Sequence, residues 1–301
     1  MPVNFINTNV NALKALKNLR TNTQRTNEAA GQIASGLQVS RSADDASAYS
    51  ISQRMSNELQ GSTRALQNVQ DGTSMLDVTE GALSTLTDSL QRVRELAVQM
   101  ASDSNSSAQR SVIGQEIRSI LEDIDRRSAE AQFNGVKLLD GTTTEAKIQI
   151  GVGSDTASNT IDLAAAFTNS NSTALKLYGT SYTSPPRWSA LTLDDIFNNG
   201  VTQIDSSDKA LLFIQDTDNA ITQLNTQRAT VGALSNQLQR AADYLDLHLT
   251  NLSGSKSRLI DTDIAKASAQ FTQAQVLQNA ATSILSQANT QNENVLRLLQ
   301  S

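Results

Sequence analysis

The 301-residue chain has no cysteine, so it carries no disulfide, thiolate metal site or thiol nucleophile, whatever compartment it works in. Three prolines and 4% aromatic residues set it apart from a conventional α/β enzyme. Its one histidine, His248, has no second histidine or cysteine to complete a metal site. No stretch is long and apolar enough to span a bilayer. Met1-Pro2-Val3-Asn4-Phe5 lacks the charged and apolar regions of a cleaved signal peptide. These absences predict no cofactor, no metal and no membrane insertion.

Charge is unevenly placed within the formal net of −6. Residues 1–27 carry Lys14, Lys17, Arg20 and Arg25 without an acid, while the 140–218 region is acidic. Without interleaved aromatics the four bases read as a solvated helix face, and no nucleic-acid partner is expected.

Apolar heptads are the strongest positive signal. Leu224, Val231, Leu238, Leu245 and Leu252 recur every seven residues, as do Val69, Leu76, Leu83, Leu90 and Ala97. Thr79, Leu86, Val93 and Met100 supply the intervening positions of one series, and Ile221, Ala242 and Leu249 those of the other. A 3.5-residue average period keeps one side of a helix against another helix over many turns. The sequence therefore predicts a mainly α chain of long antiparallel helices forming an elongated coiled-coil or helical rod. These seam residues imply a structural, self-assembling role.

Leu13, Leu16 and Leu19 begin a helix that continues to Leu37, with a break near residue 40. Ser42-Ala43-Asp44-Asp45 offers a capping box, Ser42 to the Asp45 amide and the Asp45 carboxylate back, for a helix reaching about Ala101. Gly61, Gly72 and Gly81 inside it each cost about 0.5–1 kcal/mol against Ala, so tertiary packing must support that helix. Ser106 caps the next helix, which ends near Phe133-Asn134-Gly135. Period-two alternation over 147–152 and Thr160-Ile161-Asp162-Leu163 predict a small β-hairpin near 146–163. A loop-like stretch follows to Gly200. Helix returns after Ser206-Ser207-Asp208 and runs to about Ser253-Gly254, and Asp261-Thr262-Asp263 opens the last one. From Ala267 to Asn292 that helix has no charge, which suits burial among copies of itself.

No catalytic set is legible. Asp44 and Asp45 adjoin a helix start, where capping needs them, and Asp261-Thr262-Asp263 has too few oxygen ligands for a calcium loop. No Gly-rich phosphate loop follows a strand. Asn105-Ser106-Ser107 and Asn171-Ser172-Thr173 fit a glycosylation sequon, a pattern that arises often by chance.

The motifs, in order, resemble bacterial flagellin over about two thirds of the chain. They run from Ile6-Asn7-Thr8-Asn9 through Ala34-Ser35-Gly36-Leu37, Ser42-Ala43-Asp44-Asp45-Ala46 and Thr79-Glu80-Gly81-Ala82-Leu83 to the run Gln91 to Gln99. Gln132-Phe133-Asn134-Gly135, Arg228-Ala229, Gly232-Ala233, Asp261-Thr262-Asp263 and Asn294-Val295-Leu296-Arg297-Leu298-Leu299 complete them. The middle is short, and Ser47-Ala48-Tyr49-Ser50 replaces the smaller run usual after the paired Asp.

The resemblance implies an inner coiled-coil domain of residues 1–44 plus 260–301 and an outer-core helical domain of 45–178 plus 190–259, with a surface loop region at 168–205. It implies export without a cleaved signal peptide, polymerisation into an extracellular filament, and partnership with the export apparatus, an export chaperone, and cap and junction proteins. It further implies a patch at Gln91, Arg92, Leu96 and Glu116 that Toll-like receptor five of animals reads. A hook-filament junction protein shares the terminal heptads, but the Arg92 to Gln99 motif favours a filament subunit. A secreted enzyme on a coiled-coil scaffold lacks a legible active site.

Overall fold

The structure is a computed structural model that describes residues 9–175, 177 and 207–300, with side chains as far as Gln291. Residues 1–8, most of the 168–205 loop and the side chains of Val295 and Leu298 lie outside the described residues.

Helix α1 covers Val10–Ser35, with the Asn9 side chain accepting from the Ala12 amide at 3.0 Å. Gly36, at φ 71°, ends it in the left-handed conformation that glycine adopts without steric cost. Helix α2, Ala46–Ala101, starts differently from the expected capping box. Asp45 is itself the cap, its Oδ1 accepting from the Ser47 and Ala48 amides at 2.9 and 3.0 Å. Ser42 falls in a turn closed by the Asp44 amide on the Arg41 carbonyl, which moves the helix start beyond its reach. Asp44 ties that turn by accepting from the Ser40 and Arg41 amides at 3.1 and 3.0 Å.

Helix α3, Ser107–Glu130, opens on a capping box of Ser106 and Gln109. It ends before Phe133, because Asn134 (φ 48°) and Gly135 (φ 82°) make the two-residue turn of a first hairpin. That hairpin pairs β1, Gln132–Phe133, with β2, Val136–Lys137. A second pairs β3, Lys147–Gln149, with β4, Thr160–Asp162, in the register Lys147 opposite Asp162. The short α4, Thr156–Asn159, lies between its strands.

Helix α5 spans Ser207–Ile260, passing through Gly254 where the sequence suggested an end. The break comes at Asp261–Asp263 instead, and the Ile260 carbonyl accepts from the Gln38 amide at 2.7 Å. Asp263 caps α6, Ile264–Gln300, through the Ala265 and Lys266 amides.

The chain forms two compact units, Met1–Leu59 with Thr250–Ser301, and Gln60–Leu249. In the larger unit α2 and α5 run antiparallel, with Glu80 beside Arg228 and Arg94 beside Asp218. Val69, Leu76, Leu83, Leu86, Leu90, Val93, Ala97 and Met100 are buried from α2, and Leu224, Val231, Leu238 and Leu245 from α5. The heptad seam is thus closed within one copy and packs helices of the same chain. Ile117, Leu121 and Ile124 of α3 complete this core, and each fully buried Leu or Ile contributes roughly 1.5–3 kcal/mol. Two of the α2 glycines serve the second hairpin: a Cβ on Gly61 would lie 2.7 Å from Val152 Cγ1, and one on Gly72 3.0 Å from Ile148 Cγ1.

The smaller unit is built otherwise. Helix α1 packs antiparallel on α6, where Ala267, Ala274, Ala281 and Ala288 are buried at intervals of one heptad, with Ala15 and Ala29 buried on α1. Asn9 Nδ2 donates to the Ala288 carbonyl at 2.9 Å. The two helix breaks are joined, the Thr262 amide donating to the Gly36 carbonyl at 2.9 Å beside a Leu37–Asp261 bridge. Val39, Ala48 and Ile260 close a small apolar cluster at that joint, and Leu252 is half-buried.

Candidate assembly surfaces

The polar residues that sequence reading singled out are occupied structurally. Asp45 and Asp263 hold helix starts, Asp44 ties the turn before α2, and the Tyr244 and His248 rings stack one turn apart on α5, 5.9 Å between centroids and 4° from parallel. Among the described residues no group of three His, Asp or Glu side chains is placed to hold a metal ion. No described helix is long and apolar enough to cross a membrane.

Surfaces are more informative than clefts. In the smaller unit the buried apolar seam positions are small, while larger apolar side chains point outward: Leu13 is 56% exposed, Val276 61% and Ile284 58%. A helix pair that hides alanine and shows leucine, valine and isoleucine carries apolar surface suited to further protein. The uncharged α6 stretch offers no ion pairs to solvate that surface.

In the larger unit, Arg92 Nη2 donates to Glu116 Oε1 at 2.9 Å and Nη1 to Glu95 Oε2 at 3.2 Å, joining α2 to α3. Hydrogen bonds to Glu116 and then Glu95 raise the Arg92 pKa above its ordinary value. Gln91, Arg92 and Glu116 are all exposed, so three of the four patch residues lie open to a partner. Leu96 is not among them. It is 2% exposed and belongs to the core, because its place in the α2 heptad turns it inward next to Ala97. A groove of about 760 Å³ lies beside Arg92, bounded by Asp88, Ile120, Asp123 and Arg126. Hydrogen bonds from Arg127 and then Arg126 hold the Asp123 carboxyl below the usual carboxylate range.

Several structural side chains escaped the sequence reading. Arg110 is buried and caps the end of α2, Nε to the Met100 carbonyl at 3.0 Å and Nη2 to the Ser102 carbonyl at 3.1 Å. Gln227, also buried, accepts from Ser170 Oγ at 2.8 Å and donates to the Ala166 carbonyl at 3.1 Å. Its signal was available, since it lies seven residues from both Ala220 and Leu234, and one polar residue in an apolar heptad series marks a specific partner.

Known proteins are similar to most of this chain. The family described as bacterial flagellin N-terminal helical region matches residues 6–144, and the bacterial flagellin C-terminal helical region matches residues 214–299. The chain is 32% identical to a flagellar filament 33 kDa core protein of Treponema phagedenis, covering 98% of this chain and 99% of that one. It is 32% identical to a flagellin of Halalkalibacterium halodurans and 33% identical to a flagellin of Treponema pallidum, each over 98% of this chain and 99% of the relative.

Proposed function

The chain belongs to the bacterial flagellin family, and from that premise we propose that it is exported unfolded through the flagellar apparatus and polymerises beneath a cap into a filament that serves motility. Its role is that of a non-catalytic structural subunit of the flagellar filament, outside the cell. The observation that carries this reading is the inverted helix pair: α1 and α6 bury alanines and expose Leu13, Val276 and Ile284, which leaves a subunit incomplete until others cover it. A contact of this kind between unlike faces repeats without closing and gives a helical fibre.

In this reading residues 1–44 with 260–301 form the inner coiled-coil domain, and 45–178 with 190–259 the outer-core domain. The helix breaks at Gly36 and Asp261 lie near those bounds, while the compact units divide further along α2 and α5, after Leu59 and before Thr250. An export chaperone and junction proteins are further partners. Exposed Gln91, Arg92 and Glu116 would serve recognition of the monomer by Toll-like receptor five.

Electron microscopy of purified protein after addition of short filament seeds tests the proposal. Tubes that lengthen with protein concentration are expected. Seeds that gain a terminal ring and stop growing would instead give the chain the role of a junction protein.

A further inference from the structure

A leucine followed by a cation recurs every three residues in α1, as Leu13-Lys14, Leu16-Lys17 and Leu19-Arg20. A helix advances about 100° per residue, so this spacing winds two neighbouring stripes along α1, one apolar and one basic. Val10 heads the apolar stripe, and Arg25 stands on the same face as Lys14. Lys14, Lys17, Arg20 and Arg25 are exposed, and none of their side chains takes a hydrogen bond or ion pair among the described residues. No acid lies between Asn9 and Asn27 to answer them. A solvated helix face of this length would carry acids at i+3 or i+4 spacing.

The apolar stripe is only partly used within the chain. Helix α1 buries Ala15 and Ala29, while Leu16 and Leu19 are half-buried and Val10 and Leu13 are 45% and 56% exposed. Opposite them the buried residues of α6 are alanines, which give the leucines little to hold them. Turned away from α6, α1 presents its apolar stripe with cations along one border, and their long stems reach from an apolar boundary to charged groups outside it. The whole chain carries −6, so an anionic surface repels most of it and attracts it only where its cations are gathered. Nucleic acid would answer the cations but not the leucines, and a neutral bilayer the leucines but not the cations. A bilayer rich in acidic lipid answers both.

We infer that α1 of the free subunit docks on an anionic lipid surface, with Val10, Leu13, Leu16 and Leu19 at the acyl boundary and Lys14, Lys17 and Arg20 on the lipid phosphates. The helix lies along the surface and not through it, since no described helix is long and apolar enough to cross a membrane. Lipid and α6 compete for Leu16 and Leu19, so docking opens the α1–α6 pair. The inference goes beyond the filament reading, because it concerns the subunit before assembly and its test needs no filament.

Sedimentation of the full-length monomer with vesicles of phosphatidylcholine, alone or mixed with phosphatidylglycerol, tests it. Binding is expected only with the acidic lipid and should weaken as salt rises. Each Lys or Arg near such a surface contributes about fivefold in affinity, so Lys14→Gln/Lys17→Gln should lose about 25-fold. The same charge change at Lys147 and Arg240, both exposed in the larger unit, should alter binding by less than about twofold. Leu16→Gln/Leu19→Gln keeps every charge and the helix propensity, and should lose at least about tenfold because the stripe no longer enters the boundary. On acidic vesicles trypsin should cut at least about tenfold more slowly after Lys14, Lys17 and Arg20, yet at an unchanged rate after Lys266 of α6. The inference is overturned if wild type binds neutral vesicles as well as acidic ones, if the leucine variant binds like wild type, or if the Lys147 and Arg240 variant loses as much as the Lys14 and Lys17 variant. Binding to polyuridine RNA as tight as to acidic vesicles, and kept in full by the leucine variant, would make the cations a nucleic-acid contact and overturn it as well.

Discussion

Arg228 donates to a single oxygen of Glu80 from both Nε and Nη2, at 2.8 and 2.7 Å, joining α5 to α2 across the larger unit. The side chains keep 34% and 40% of their exposure, so water screens the pair. A double-mutant cycle of Arg228→Ala and Glu80→Ala in the monomer should give a coupling of about 0.5–1 kcal/mol. Strict additivity in denaturant melts would mean that the pair contributes only orientation.

The α2 glycines should respond in opposite senses. Gly81→Ala fills open space in a helix interior and should stabilise the monomer by about 0.5–1 kcal/mol. At Gly61 the new methyl meets Val152, a stiff β-branched side chain, 2.7 Å away. Gly61→Ala should therefore lower the melting temperature while it loosens the second hairpin, visible as faster amide exchange at Ile148. Equal stabilisation by both substitutions would show that the hairpin does not press on α2.

Helical elements were legible wherever one period governed many residues. Leu76, Leu83 and Leu90 are buried because a heptad repeated over that length has one way to pack, and the Ser106 cap follows from local chemistry alone. Boundaries set by a few backbone atoms were harder to read. Nothing local says that α5 continues through Gly254, a decision made at Ile260 by pairing with Gln38, more than two hundred residues away. Asn134-Gly135 was readable as a hairpin turn, yet its strands are only two residues long and leave no alternation to read. The receptor patch went wrong at Leu96 for a related reason, since a resemblance carries residues across without saying which way each faces.

Asp216 predicts a pH effect of known sign. Burial raises its pKa, and it takes no hydrogen bond or ion pair in compensation. The folded state thus holds this proton more tightly than the unfolded state, so its contribution to stability falls as pH rises from about 4 through the raised value. Asp216→Asn should melt higher than wild type at pH 7, and the difference should vanish near pH 3. A variant that melts lower at pH 7 would mean that the carboxylate is stabilising in its ionised form.

The ends of the free monomer should be its weakest part. Ordering a residue costs about 1–2 kcal/mol, and each buried alanine methyl on α6 returns about 0.8 kcal/mol. Without other copies the α1–α6 pair should open readily. Trypsin is expected to cut first at Lys14, Lys17, Arg20, Arg25 and Lys266 while sparing the 45–255 core. Protection of both ends at protein concentrations too low for assembly would contradict this.

The last prediction separates the exposed from the buried half of the receptor patch. Arg92 bridges Glu95 and Glu116 at the surface, whereas Leu96 is enclosed in the core. Because an exposed arginine often concentrates the energy of an interface, Arg92→Ala should remove roughly 2 kcal/mol of receptor binding. That is more than tenfold in affinity. Its melting curve should stay near wild type, as the lost ion pairs are solvated. Leu96→Ala should do the reverse, destabilising the monomer by about 2–5 kcal/mol as for other buried leucines, and reducing signalling only in proportion to the protein that unfolds. Reporter-cell titrations with monomer, paired with thermal melts, distinguish the two. If the folded Arg92→Ala monomer signals like wild type, the Arg92–Glu116 bridge belongs to subunit packing alone.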